Sequence, residues 1–183
     1  MTATLEERRE HERQKYLKLD GTTIGNSIVR YGHLNHGQLA YPTVLGWNPS
    51  YVLDFGCGGN QFVRELRRRG VRGAGIDFAM AGADIVAPMH DVPLPNGVAD
   101  IVTSFDALEH LLPEDVRPVL EEMRRLSKPG SHFCFSISYH PSGITVEGEN
   151  LHMTVRSKSW WESEIERYAV VDPFSHYITG TWL

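Results

Sequence analysis

Residues 51–60, with the sequence YVLDFGCGGN, join a short apolar run directly to a turn that contains three glycines. The run YVLDF predicts a buried strand, and the segment 60–69 predicts a helix with Val63 and Leu66 on its inner face. A strand followed at once by a helix is the first half of a βαβ unit, in which the chain returns as a parallel strand. This stretch therefore points to an α/β fold.

The alternation of strand and helix continues along the chain. Further strands are predicted at 73–77, 83–87, 99–105 and 131–139, and a closing hairpin at 168–182. A helix is predicted over 113–130, because its apolar residues follow the 3.6-residue period at Val116, Val119, Leu120, Met123 and Leu126. Ser159 and Glu162 predict a capping box at the start of the last helix. We expect a Rossmann-like domain with a mostly parallel sheet and a C-terminal antiparallel hairpin.

The first 45 residues differ in character from the rest. Residues 4–18 predict a mostly polar helix, either a surface helix or a loosely held arm, and the irregular segment 22–50 is rich in Gly, Asn and His. We expect residues 1–45 to form an N-terminal helix and a cover for a site, and residues 46–183 to form the domain that carries the site. No repeat or linker divides that domain.

Length and charge narrow the class of protein. A chain of 183 residues favours a single core. Its net charge of −5 argues mildly against a general nucleic-acid binder, although a local basic patch remains compatible. Cys57 and Cys134 are too few for a disulfide framework, and no run reaches the ~20 apolar residues that span a bilayer. We therefore expect a cytoplasmic protein with no membrane association.

The glycine turn has the position of a ligand site, because α/β sheets bind ligands beyond the carboxyl ends of their strands. Gly56 and Gly58 would allow a ligand to approach the backbone closely. The turn is not a dinucleotide fingerprint, since Gln61 stands where the third glycine belongs, and no Gly-Lys-Ser/Thr follows as in a P-loop. Asp54 would repel a pyrophosphate, but it would accept hydrogen bonds from an ammonium group or from the loop amides.

A second acid indicates which ligand fits. Asp77 ends the second predicted strand, where an acid commonly binds both hydroxyls of a ribose. A ligand with a ribose and a cationic tail without phosphate would satisfy both Asp54 and Asp77. S-Adenosylmethionine, whose demethylated product is S-adenosylhomocysteine, has this structure.

Four motifs in order carry a resemblance to a known family. They are VLDFGCGGN, GAGIDF, PLPNGVADIVTSFDALEHL and LEEMRRLSKPGSHFCFSIS, which lie within residues 51–139. The segment resembles class I S-adenosylmethionine-dependent methyltransferases. The resemblance implies a seven-stranded sheet with an antiparallel strand near its edge, and the hairpin at 168–182 would supply the last two strands.

The resemblance also implies which residues bind the cofactor. The turn would pass under the methionine moiety, the acid after strand two would take the ribose, and the ends of strands three and four would border the adenine and the methionine. The implied residues are Asp54, Gly56, Cys57, Gly58, Asn60, Asp77, Phe78, Met89, His90, Asp91, Phe105 and Asp106. Two positions depart from the family: Asn60 replaces a frequent glycine, although Asn is a good helix cap, and Pro88 replaces a frequent acid.

Histidines are the candidate bases for an oxygen acceptor, whose proton must be removed. His110, after strand four, is the first candidate, and His140, after strand five, is the second. Other residues expected to line an acceptor pocket are Tyr31, His33, Asn35, His36 and His152. No metal site is predicted, because His33 and His36 have no nearby carboxylate or thiolate in the sequence.

The predicted function is methyl transfer to a small-molecule hydroxyl group. No Asn/Asp-Pro-Pro-aromatic motif of an amine-methylating nucleic-acid enzyme follows strand four, where SFDALEHL stands instead. One alternative is methylation of a nucleic acid or protein that docks on the arginines at 64, 67, 68, 69 and 72. Another is an inactive partner subunit that only binds the cofactor. The acceptor atom and the oligomeric state stay open.

Overall fold

The computed structural model describes residues 3–19, 23–24, 27–28, 32, 34–80, 82–173 and 175–183. Its helices are α1 (Leu5–Leu19), α2 (Tyr41–Gly46), α3 (Gln61–Arg68), α4 (Val116–Leu126) and α5 (Lys158–Ile165). Its strands are β1 (Thr23–Ile24), β2 (Ser27–Ile28), β3 (Tyr51–Phe55), β4 (Arg72–Asp77), β5 (Ile85–Val86), β6 (Ala99–Phe105), β7 (Ser127–Ser136), β8 (Thr145–Val146), β9 (Glu149–Asn150), β10 (Ala169–Val171) and β11 (Ile178–Trp182).

One seven-stranded sheet organises the fold, with the strand order β10-β11-β7-β6-β3-β4-β5. Strands β3 to β7 are parallel to one another, whereas β11 pairs antiparallel with both β7 and β10. The order changes direction at β3, so the carboxyl ends of β3 and β6 form a switch point where α/β sheets bind ligands. The predicted fold class, including the closing antiparallel hairpin, is confirmed.

Apolar side chains cover both faces of the sheet. On one face the core includes Leu53 and Phe55 of β3, and helices α4 and α5 pack over it. On the other face, Val52 of the same strand packs with residues of α2 and α3. This division follows from the alternation of side chains along a strand, which sends successive residues to opposite faces. All five apolar positions predicted for α4 are buried.

Several predicted boundaries differ from the observed ones. The predicted helix 113–130 is a 3₁₀ turn at Pro113–Asp115 followed by α4, and strand β7 begins at Ser127, immediately after the helix. The predicted strand 83–87 is reduced to β5. The predicted capping box is wrong: Ser157 caps α5 and accepts a hydrogen bond from the Trp160 amide at 3.2 Å. The serine that caps α5 therefore lies two residues before the predicted one, Ser159.

Helix α1 is held against the domain by charged groups. The Arg9 guanidinium forms an ion pair with Asp115, whose side chain is 7% exposed. Two further pairs, Arg8–Glu114 at 2.6 Å and Lys18–Glu147 at 2.9 Å, lie nearer the surface. Of the two predicted alternatives for this segment, the packed surface helix is the one observed.

In the described part of the chain, no helix combines the length and the apolar character needed to cross a bilayer.

Candidate active site

A cavity of about 590 Å³ lies beyond the carboxyl ends of β3, β4 and β6. Its volume is in the range of small-ligand sites. One wall comes from the glycine turn and the two neighbouring strand ends. The other wall comes from α1, from residues 32 and 34–37, and from the segments 138–144 and 151–152. The site is therefore enclosed by parts of the chain that are distant in sequence.

The glycine turn has a conformation that only glycine adopts readily. Gly56 has φ +71°, and a Cβ there would collide with the Cβ of Ala107. Gly58 has φ +49°, and its Cβ would lie 2.8 Å from the Cα of Gly32. The amides of Gly56 and Cys57 both donate to the Ile76 carbonyl, which ties the turn to β4. A larger residue at either position would force its neighbours or the turn itself to shift.

Asp54, two residues before Gly56, is buried at the edge of the cavity. Its side chain accepts a hydrogen bond from the Thr103 hydroxyl at 2.7 Å, and the residue is 3% exposed. Burial raises the pKa of Asp54 to about 7, and the negative charge of Asp77 adds to this effect. A cationic group in the cavity would reverse this effect and favour the ionised carboxylate.

Asp77 at the end of β4 connects the turn to the next loop. One carboxylate oxygen accepts from the Gly58 amide at 3.0 Å. The other accepts from the amides of Ala79 and Met80 at 2.9 and 3.0 Å. Asp77 lines the cavity, as predicted for a ribose ligand, but its carboxylate also has a structural role that the sequence analysis missed.

The other predicted cofactor residues divide into two groups. Gly56 and Gly58 of the turn line the cavity. So do Cys57, Phe78, Met89, His90, Phe105 and Asp106. Asn60 and Asp91 are not among the described lining residues. The Asn60 amide group donates to Asp84 at 2.9 Å, and its φ of +63° places it before α3 without a side-chain cap. Burial raises the pKa of the Cys57 thiol well above its ordinary value, so it is not a reactive thiolate.

The Asp106 carboxylate orients a histidine from the N-terminal segment. His36 Nδ1 lies 2.8 Å from one of its oxygens, and the Ser136 hydroxyl donates to the other at 2.8 Å. Hydrogen bonding to Asp106 raises the pKa of His36. Burial raises the pKa of Asp106, but the bonds from His36 and Ser136 outweigh burial and hold that pKa below its ordinary value. Both residues line the cavity.

The two predicted bases lie in different surroundings. His110 lines the cavity, with Nδ1 2.9 Å from the Leu151 carbonyl and 2.5 Å from the Tyr16 hydroxyl oxygen. Burial lowers the pKa of His110 to about 4, so its imidazole is neutral. His140 is exposed and is not among the described cavity residues, although its carbonyl contacts His152 Nδ1 at 2.5 Å.

Glu109 was not among the predicted site residues. It is fully buried, it lines the cavity, and burial raises its pKa to about 7. The segment DALEHL contained the residue, but nothing in the pattern distinguished it from a surface acid. Of the other residues expected near the acceptor, Asn35, His36 and His152 line the cavity, whereas Tyr31 and His33 lie outside the described residues.

Comparison with known proteins connects this geometry to a family. Residues 53–135 match the family model described as a methyltransferase domain. The chain is 32% identical over 102 residues to the ubiquinone biosynthesis O-methyltransferase of Alkalilimnicola ehrlichii, covering 46% of this chain and 40% of that protein. It is 33% identical over 110 residues to the protein of the same name from Pseudomonas aeruginosa, covering 49% and 45%. The chain thus spans less than half the length of these curated relatives.

A solved structure agrees over the whole chain. The 1,6-didemethyltoxoflavin-N1-methyltransferase of Burkholderia thailandensis, crystallised with 1,6-didemethyltoxoflavin and S-adenosylhomocysteine, superposes with a TM-score of 0.68. The superposition covers 100% of this chain and 92% of that one at 13% identity, which shows the fold alone. The fold and the glycine turn define a nucleotide-cofactor-binding α/β domain. With the match of residues 53–135, they support a class I S-adenosylmethionine-dependent methyltransferase domain.

The residues present fit the cofactor of this family, S-adenosylmethionine. The glycine turn leaves no room for Cβ atoms, and the cavity above it is bordered by two buried carboxylates, Asp54 and Asp77. A buried acid with a pKa near 7 is suited to a cationic ligand that would stabilise its charge.

Proposed function

We propose that this protein transfers the methyl group of S-adenosylmethionine to a hydroxyl oxygen of a small molecule. The observation that carries the proposal is the His36–Asp106 pair, at 2.8 Å, on the cavity that also contains Asp54 and Asp77. One cavity thus contains residues suited to the cofactor and an oriented base. The O-methyltransferase names of the similar bacterial proteins support an oxygen acceptor.

In this proposal, Asp54 faces the ammonium group of the cofactor, Asp77 takes the ribose hydroxyls, and Phe78 and Met89 border the adenine. When bound, the cofactor supplies a methyl group whose C–S electron pair passes to sulfur. The chain contributes mainly by holding the acceptor oxygen in line, which can account for several kcal/mol of the barrier, roughly 7–11 in favourable cases.

His36 is proposed as the base. Its Nδ1 carries the proton that points to Asp106, so Nε2 has the lone pair that takes the acceptor proton as the new C–O bond forms. The Asp106 carboxylate then stabilises the imidazolium, as in other carboxylate–histidine pairs. His110, the first predicted candidate, lines the same cavity and is proposed to contact the acceptor side.

The charge of the α3 surface favours a small acceptor over a nucleic acid. Arg67 pairs with Asp84 at 2.7 Å, and Arg68 and Arg69 pair with Glu65 at 3.1 and 2.9 Å. Much of the positive charge is therefore balanced within this surface, which lowers its attraction for phosphates.

The test begins with calorimetric titration of S-adenosylhomocysteine, followed by a methyl-transfer assay on a panel of hydroxylated small molecules. We expect micromolar binding and turnover of at least one acceptor. His36→Gln should keep the binding and lose roughly 10²–10⁴-fold in turnover. His176→Gln, an exposed histidine on the closing hairpin, is the matched control and should retain both. A folded protein without cofactor binding would refute the proposal, and binding without turnover on any acceptor would favour the inactive-partner alternative.

A further inference from the structure

We propose that Glu109, His110 and His152 form a binding site for a divalent first-row transition cation, with Zn²⁺ as the representative ion, on the acceptor side of the cavity. One potential ligand atom from each residue lies within 4.8 Å of those of the other two. All three residues line the cavity. The inference rests on the proposed function, because it gives the cation a role in binding the acceptor hydroxyl.

The fold brings the three residues together from two segments. Glu109 and His110 lie in the 3₁₀ turn Leu108–His110 that follows β6, and His152 lies just after β9. The Thr154 amide donates to the Glu109 carbonyl at 2.9 Å and holds the second segment against the turn. The sequence analysis predicted no metal site because it considered only His33 and His36, which have no neighbouring ligand in the sequence.

The Glu109 carboxylate has one oxygen available for a ligand. Oε1 accepts a hydrogen bond from the Ser138 amide at 2.9 Å. Oε2 is buried and has no hydrogen-bond partner among the described residues. A fully buried carboxylate oxygen without a partner is costly unless a proton or a cation compensates it. This orphaned oxygen is the observation that points to a bound cation.

Both imidazoles lie with Nδ1 at hydrogen-bond distance from a backbone carbonyl. His110 Nδ1 lies 2.9 Å from the Leu151 carbonyl, and His152 Nδ1 lies 2.5 Å from the His140 carbonyl. In the proposed site each Nδ1 carries the proton, because a carbonyl only accepts hydrogen bonds, and the Tyr16 hydroxyl 2.5 Å from His110 Nδ1 also acts as an acceptor. Each Nε2 then offers its lone pair to the cation. Metal-binding histidines are commonly fixed in this way by a carbonyl on the opposite ring nitrogen.

The three ligands indicate which kind of cation would bind and how it would act on the acceptor. Two imidazoles and one carboxylate suit a borderline ion, and three protein ligands are the number found in catalytic zinc sites with one open position. Bonds of ~2.0–2.2 Å to one ion require ligand atoms that lie up to 4.8 Å apart to move closer together. The acceptor hydroxyl would occupy the open position, its pKa would fall, and its proton would pass to His36.

A second cluster of potential ligands does not qualify. His11, Glu12 and Glu149 also lie close together. However, the Lys15 ammonium lies 2.7 Å from a Glu12 oxygen and 3.4 Å from a Glu149 oxygen. The Lys15 ammonium group already balances the charge of these carboxylates, so a substitution in this cluster is a control for the proposed metal site.

The test uses the purified full chain after treatment with EDTA. Calorimetric titration with Zn²⁺ should give one site per chain, and Co²⁺ should give a visible ligand-field absorption band. Glu109→Gln and His152→Ala should each weaken Zn²⁺ binding at least about tenfold and abolish the Co²⁺ band. His11→Ala and His176→Ala should change neither. Circular dichroism establishes that each variant is folded.

Methyl transfer then separates this inference from the proposed function. We expect EDTA to lower turnover at least about tenfold, Zn²⁺ to restore it, and S-adenosylhomocysteine binding to be unchanged by either. Absence of a Zn²⁺ site, or Zn²⁺ binding that survives both Glu109→Gln and His152→Ala, would overturn the metal site. EDTA-resistant turnover would overturn its role at the acceptor while leaving the methyltransferase proposal standing. Loss of cofactor binding itself would count against the proposed function.

Discussion

The Nδ1 atom of His36 and a carboxylate oxygen of Asp106 lie 2.8 Å apart, although the two residues belong to opposite walls of the cavity. His36 comes from the N-terminal segment, and Asp106 directly follows β6. Asp106 has φ +49°, an uncommon conformation for a residue other than glycine, which directs its side chain between His36 and Ser136. This contact joins the two walls of the cavity.

The first prediction concerns the pH dependence of turnover. His36 must be neutral to take a proton, and Asp106 raises its pKa above 6.5, with Glu109 acting in the same direction. Turnover should therefore rise with pH, with a midpoint above 6.5. Asp106→Asn should move the midpoint to lower pH and reduce kcat roughly tenfold or more, because the imidazole loses its orienting charge. A pH–rate profile of both proteins checks this, and an unchanged midpoint would contradict the assignment of His36.

The second prediction concerns the stability cost of Asp54. Its pKa is about 7 in the folded protein against an ordinary 3.8, so the folded state loses stability as pH rises between these values. Asp54→Asn keeps an acceptor for the Thr103 hydroxyl and cannot ionise. Its free energy of unfolding should exceed that of the parent by on the order of 1–4 kcal/mol at pH 8, with no such gain at pH 4. Urea unfolding at pH 8 and pH 4 measures the free energy of unfolding of both proteins. The same difference between variant and parent at both pH values would contradict the prediction.

The same residue gives a prediction for the cofactor. An ammonium group beside Asp54 favours the ionised carboxylate, so binding of S-adenosylmethionine should strengthen as pH rises through about 7. In Asp54→Asn the affinity should be weaker at pH 8, and it should no longer depend on pH in this window. Calorimetric titration at pH 6 and pH 8 compares the two proteins.

The third prediction concerns Asp77, which has two roles. Asp77→Ala removes the ribose ligand and the acceptor of three loop amides, so both cofactor affinity and stability should fall. We expect S-adenosylhomocysteine to bind at least about tenfold more weakly and the free energy of unfolding to drop by about 2–4 kcal/mol. Asp172→Ala, an exposed acid on the closing hairpin, is the control. Unchanged cofactor affinity in a folded Asp77→Ala protein would exclude the ribose assignment.

The fourth prediction tests α1 as a cover of the site. Arg9 lines the cavity and pairs with the buried Asp115, whereas Arg8 pairs with Glu114 nearer the surface. Arg9→Ala leaves a buried carboxylate without its partner, so α1 should open more often and exchange its amide hydrogens faster. Arg8→Ala should have a much smaller effect. Hydrogen exchange of α1 measures both, and equal effects would argue against Arg9 as the contact that holds the helix.

Local patterns predicted the wall of the cavity that contains the glycine turn better than the contacts between distant segments. The glycine turn, the acid at the end of β4 and the C-terminal hairpin are encoded by adjacent residues, and the structure has them where they were predicted. Glu109 and the His36–Asp106 pair depend on contacts between distant segments, which no local pattern records. For Asn60 the local pattern was misleading. Its side chain was expected to suit a helix cap, but it donates a hydrogen bond to Asp84 instead.

The two walls of the cavity also differ in their relation to the matched family. The residues that match the family end at 135, whereas α1, His36 and the segments 138–144 and 151–152 lie outside that match. Substitutions in these flanking segments would change that wall of the cavity while leaving the residues of the glycine turn and the strand ends unchanged. The cavity therefore joins one wall that belongs to the shared methyltransferase domain to a second wall built from segments outside that match.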